Sequence, residues 1–131
     1  MTDYRTPHER FWAGEFGSAY VARNEGEDKI ASAMQMVARM LEATTGIASA
    51  VELGCNRGVN LAALQRALPG VRLRGYEINA EAVAIARELP DVEVVEQSVT
   101  EPIAVDATFD LAFTRGVLIH IAPDALPAVY A

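Results

Sequence analysis

Val51-Glu52-Leu53-Gly54-Cys55-Asn56-Arg57-Gly58 is the stretch on which the fold turns. Apolar residues around Glu52, followed by glycine, read as a strand over 50–53 that ends at Gly54. A helical pattern begins a few residues later, with Leu61, Leu64 and Leu68 on one face over 61–68 and Pro69-Gly70 as its stop. Glycines where a strand becomes a helix let the backbone turn tightly and approach a ligand that a β-carbon would push away. Asn56 stands where many nucleotide-binding loops carry a middle glycine, and asparagine tolerates positive φ. The pattern is GxNxG, which falls short of the GxGxxG of most dinucleotide dehydrogenases.

The alternation continues downstream. Residues 71–76 read as a second strand; Asn79 caps a helix over 80–89 that carries Val83 and Ile85 and ends at Pro90-Asp91. Residues 92–95 make a third strand, and 109–113 a fourth, reached through a loop over 102–108. Upstream, Ile30, Met34, Val37 and Leu41 recur at helical spacing with Ala33, Met36 and Met40 alongside. Arg23-Asn24-Glu25-Gly26-Glu27 reads as a polar turn before that helix, Asp28 as its cap and Thr44-Thr45-Gly46 as its stop. Strands separated by short helices pair in parallel through right-handed crossovers, so the expected class is α/β.

Composition bounds what such a fold can do. A chain of 131 residues, 51% hydrophobic and 22% charged, makes one domain with a real core. Its longest apolar run, 82–86, is far short of the roughly 18 to 20 residues of a membrane span. The first ten residues lack the apolar core of a secretory signal, so the expected address is cytoplasmic, with no membrane partner. One cysteine and two distant histidines, His8 and His120, give neither a disulfide nor a zinc-site spacing, so no metal is expected. A net charge of −7 without a basic stripe disfavours nucleic acid and leaves a small molecule as the expected partner.

Glu77 adds a second signal, at the end of the second strand and roughly 20 residues beyond Gly54. A carboxylate there can accept hydrogen bonds from the 2′ and 3′ hydroxyls of an adenosine ribose, and it repels a 2′-phosphate. The bland alternative is a glycine that only ends a strand and an acid that only solvates a turn.

These residues carry a resemblance. Glu52 to Gly58 resembles the first motif of class I S-adenosylmethionine-dependent methyltransferases, Tyr76-Glu77-Ile78 their acidic second motif, and Phe109-Asp110-Leu111-Ala112-Phe113 their fourth strand. More narrowly, Phe11-Trp12-Ala13-Gly14-Glu15-Phe16-Gly17 with Tyr20 and Arg23-Asn24, and Arg115-Gly116-Val117-Leu118-Ile119-His120-Ile121, resemble the methylases associated with pseudaminic acid biosynthesis. The resemblance implies a Rossmann-like sheet with strands 1 to 4 in the order 3-2-1-4 and S-adenosylmethionine as cofactor. Residues 1–131 are then a single methyltransferase-like domain, incomplete at the C-terminus. Residues 1–46 form an N-terminal aromatic and helical cap, and 47–131 the cofactor-binding half. Such domains carry more strands, so the outer edge of the fourth strand is expected to be open and to offer a surface for a homo-oligomer.

Site residues follow by the same resemblance. Glu52 matches the acid near the methionine amino group; Gly54, Cys55, Asn56 and Gly58 match the loop under the methionine and ribose. Glu77 matches the ribose acid, and Ile78 the residue against the adenine. Ser98, with Val99 beside it, falls where relatives place an Asp or similar group on the adenine amine. Arg115 and Gly116 face the transfer site, and Trp12 and Tyr20 form a lid or, alternatively, staple the first helix to the sheet. His120 is the candidate catalytic base toward the acceptor, with a packing or capping role as its alternative. Cys55 has no evident base beside it and reads as a small residue at a crowded backbone. The implied acceptor is a sugar of the pseudaminic or nonulosonic acid type. Two other readings stand beside the enzyme: a non-catalytic cofactor-binding remnant, and a nicotinamide-dependent oxidoreductase.

Overall fold

The computed structural model describes residues 4–23, 25–104 and 106–131, so Asn24 of the expected polar turn lies outside the described residues. Thr6 opens the first helix, α1 (Pro7–Ala13), with a capping box. Its hydroxyl accepts from Glu9 N, the Glu9 carboxylate accepts from Thr6 N, and Pro7 fills a position where an N–H is not needed. After Gly14 the chain forms α2 (Glu15–Arg23) and then α3 (Glu27–Leu41), whose Ala33 and Val37 are fully buried. Asp28 is not the cap. Gly26 takes that position with no side-chain bond, and Asp28 lies in the first turn, where its charge suits the helix dipole.

Four strands follow, β1 (Ser49–Leu53), β2 (Arg72–Glu77), β3 (Val92–Glu96) and β4 (Leu111–Phe113). They form one parallel sheet in the order β3-β2-β1-β4, as expected. Helices α4 (Val59–Ala67) and α5 (Ala80–Ala86) make the crossovers, and a 3₁₀ turn (Leu118–His120) leads into α6 (Leu126–Tyr130). α3 packs on α4, and Leu61, Leu64, Leu73, Val83 and Val37 fill one side of the sheet. Val51, Tyr76 and Val99 centre a smaller cluster with Phe109, Val117 and Ile121.

Two elements are shorter than their apolar patterns suggest. β4 starts at Leu111 because Asp110 is otherwise engaged: its Oδ2 accepts from Ala48 N at 2.8 Å, Ser49 N at 3.1 Å and Ser49 Oγ at 3.2 Å. Phe109, before it, lies under the Arg72 and Arg74 guanidinium groups. α5 ends at Ala86, and Asn79 caps it through a bond from Ala82 N to Oδ1 at 3.0 Å. Among the described residues no helix is long and apolar enough to cross a membrane.

Candidate functional site

A cavity of about 390 Å³ opens at the C-terminal ends of the strands, the customary ligand position of an open α/β sheet. Each strand end contributes. The loop after β1 brings Gly54, Cys55 and Asn56; β2 ends in Glu77 and Ile78; Ser98 and Val99 follow β3; Arg115 and Gly116 follow β4. Trp12 and Tyr20 from the helical cap, and His120 from the 3₁₀ turn, also line it. The sheet therefore gathers the sequence-predicted site residues, with one exception.

That exception is Gly58, which does not line the cavity. It stands at the left-handed N-cap of α4, φ 85°, where a β-carbon would meet Leu89 Cδ1 at 2.8 Å. Its freedom serves the turn and the packing of α5, a demand the GxNxG pattern alone does not separate from ligand contact. Gly54, φ 78°, does face the cavity, and a β-carbon there would strike Val117 Cγ2 at 2.5 Å. Asn56 adopts the positive φ its identity allows, 50°.

Glu52 is the most unusual group. It is buried in β1, its Oε1 accepts from Asn60 Nδ2 at 2.6 Å, and its Oε2 has no partner. Burial, opposed by the Asn60 bond and reinforced by the nearby Glu77 charge, pushes its pKa up to about 8. Asn60, from the first turn of α4, also accepts from Arg115 Nη1 at 3.2 Å, so it links the acid of β1 to the cation after β4.

Glu77 turns its carboxylate onto the loop. Oε2 accepts from Asn56 N at 2.7 Å, and Oε1 from Ile78 N and Asn79 N at 3.0 Å each. Of the roughly four acceptor positions of a carboxylate, one is left, on Oε2. Burial raises its pKa, and the three backbone N–H groups oppose that rise. The other loop donors are also committed: Gly54 N and Cys55 N donate to Tyr76 O, and Gly58 N to Cys55 O. Cys55 is buried, and burial with the Glu52 and Glu77 charges raises its thiol well above the ordinary value, against a nucleophilic role.

Ser98 is buried and bonded to a residue that sequence reasoning missed. Its Oγ donates to Glu9 Oε1 at 2.7 Å, and the Thr100 hydroxyl donates to the same oxygen. The T-x-x-E spacing of Thr6 and Glu9 signals the start of a helix but not this contact. The cap is further tied down by Asn79 Nδ2 donating to Trp12 O at 3.0 Å and Arg57 Nη1 donating to Val21 O at 3.0 Å. Across the cavity the Trp12 and His120 rings lie 4.6 Å apart, tilted by 57°.

Residues 50–131 match the model of a methyltransferase domain. No curated protein matches the chain. Among solved structures, it is similar to a mitomycin 7-O-methyltransferase, TM-score 0.72 and 24% identity over 95% of this chain and 38% of that one. It is also similar to a sugar N-methyltransferase from Streptoalloteichus sp., TM-score 0.67 and 22% identity over 98% of this chain and 50% of that one. A plantazolicin methyltransferase solved with S-adenosylhomocysteine and a pentazolic desmethylPZN analogue gives TM-score 0.68 and 15% identity over 92% of this chain and 51% of that one. The chain thus spans about half the length or less of these structures. At such identities the likeness shows the fold alone; the domain model, matched over well over half of the residues, shows the family, and the chain belongs to the methyltransferase-domain family.

Proposed function

We propose that the cavity binds S-adenosylmethionine and that the chain is the cofactor-binding part of a methyltransferase acting on a small sugar acceptor of the nonulosonic acid type. The observation that carries the cofactor reading is Glu52: a buried carboxyl with one unpartnered oxygen suits a cationic group such as an amino acid ammonium. The strand order supplies the rest of the fit. Glu52 on β1, Glu77 at the end of β2 and Ser98 after β3 form a row across the strand ends, matching an ammonium, a ribose and a base. The loop argues against a dinucleotide, because the N–H groups of Gly54, Cys55, Asn56 and Gly58 are all bonded within the protein and leave a pyrophosphate none of them.

When bound, S-adenosylmethionine supplies a methyl group already activated on a sulfonium, so the protein's task is placement and exclusion of water. In this reading Glu52 holds the ammonium and Asn60 fixes the carboxyl's orientation. Glu77 takes a ribose hydroxyl on its remaining acceptor position, with Ile78 against the base. Trp12 and Tyr20 cover the cavity from the helical cap. His120, with its ring against Trp12, is placed to take a proton from an acceptor hydroxyl or amine. The sugar class is supported by the resemblance of the aromatic opening and of residues 115–121.

Transfer of labelled methyl from S-adenosylmethionine to nonulosonic acids and their nucleotide-linked forms tests the reading. We expect product with the wild-type chain and, for His120→Ala, a rate lower by roughly 10²-fold or more with unchanged cofactor affinity. Cofactor binding without transfer to any of these sugars would overturn the acceptor assignment.

A further inference from the structure

Glu52 lines the cavity with its side chain 1% exposed, and the group bonded to it is neutral: Asn60 Nδ2 donates to Oε1 at 2.6 Å. Arg115 holds that amide, donating from Nη1 to Asn60 Oδ1 at 3.2 Å, and makes no ion pair with the acid itself. Among the described residues no lysine, arginine or histidine lies within ion-pair distance of Glu52.

The charged groups around it do not compensate. Glu77, at the end of β2, opposes a negative charge on Glu52, and Arg115, after β4, favours it. Lys29 of α3, His120 of the 3₁₀ turn, and His8 and Glu9 of α1 line the same cavity. Cys55, in the loop, stays a neutral thiol because burial raises it well above its ordinary value. Of the two neighbouring acids Glu77 is the better seat for a charge, since three backbone N–H groups donate to it and only one side-chain amide donates to Glu52. A buried carboxylate with one donor and an unpartnered oxygen costs far more than the same group as a neutral acid. The proton then sits on Oε2, because Oε1 accepts from Asn60.

We propose that a ligand's ammonium displaces a proton at Glu52: the acid is neutral in the free chain and ionises as the ligand binds, an assignment that rests on the cofactor reading given above. One O–H bond breaks, the proton passes to solvent, and an ammonium N–H donates to Oε2, with no covalent bond made to the ligand. Affinity for a ligand with an amino acid end therefore rises with pH, and affinity for a ligand without that end does not.

Calorimetric titration at pH 7 in phosphate and in Tris, buffers of very different ionisation enthalpy, counts the protons released. The ligands are S-adenosylhomocysteine and 5′-methylthioadenosine, which keeps the nucleoside but lacks the amino acid end. With the free carboxyl at about 8, the wild type should release close to one proton on binding S-adenosylhomocysteine, and its affinity should rise roughly 50-fold from pH 6 to pH 8. 5′-Methylthioadenosine should release none, with an affinity change of less than about twofold. Glu52→Gln has the shape of the neutral acid; it should bind S-adenosylhomocysteine without proton release and about tenfold or more weakly than the wild type at pH 8. Equal proton release with both ligands would assign the proton to Glu77 under the ribose and overturn the proposal. Binding of S-adenosylhomocysteine with no proton released and no pH dependence would also overturn it, leaving the cofactor reading intact. Failure of the wild type to bind either ligand would overturn both.

Discussion

Glu52 concentrates the site's electrostatics in one side chain. A carboxyl with its pKa at about 8 in the folded chain and near 4.3 when unfolded binds a proton in the native state that the unfolded state has lost. Its contribution to stability is therefore complete below about pH 4 and is lost as pH rises through about 8. Glu77, raised in the same direction, adds to the trend. Between these limits the wild type should lose up to roughly 1.4 kcal/mol per pH unit through Glu52, and Glu52→Gln, which cannot titrate, should lose correspondingly less. Denaturant unfolding of both proteins at pH 5, 6, 7 and 8 reads the difference; parallel stability curves would contradict the assignment. The sequence shows an acid inside a strand, but not its unpaired oxygen, which depends on Asn60 reaching back from α4.

Among the elements, the short helix α1 has the largest effect for its size. Seven residues are too few for a helix to persist alone, so α1 depends on its capping box, on Asn79 holding the Trp12 carbonyl and on Glu9 bonding Ser98. Thr6→Ala should cost about 1 kcal/mol, confined to the cap. Hydrogen exchange of the α1 amides should quicken by roughly fivefold while β2 stays unchanged. Uniform acceleration across the chain would show instead that cap and sheet open together. The elements most legible in the sequence are those where periodicity and punctuation agree: β1 to β3, α4 and the Asn79 cap. Apolar Phe109 reads as strand, yet β4 begins only at Leu111, because Asp110 bonds the start of β1. α1 and α2 were legible only as aromatic residues broken by glycines, since their order comes from side chains reaching the sheet.

At the scale of the whole molecule, the order β3-β2-β1-β4 converts a sequence of strand ends into a row of chemical functions. The parallel sheet and the side of it on which a ligand lies are readable from the alternating strands, GxNxG and the acid at Glu77, whereas the strand order is implied only by the family resemblance. Contacts from a distant segment are not readable, and these include the Glu9 carboxylate beside Ser98 and the His120 ring against Trp12. They depend on how the cap folds back over the strand ends, a tertiary arrangement with no local signature. The cavity wall combines the carboxyl groups of Glu9, Glu52 and Glu77 with Lys29 and Arg115, a balance suited to a zwitterionic amino acid end and a neutral nucleoside. Parallel calorimetric titrations of the chain with S-adenosylhomocysteine and NAD test this most directly. The structure predicts saturable one-to-one binding of S-adenosylhomocysteine and none of NAD; binding of NAD with no response to S-adenosylhomocysteine would contradict it.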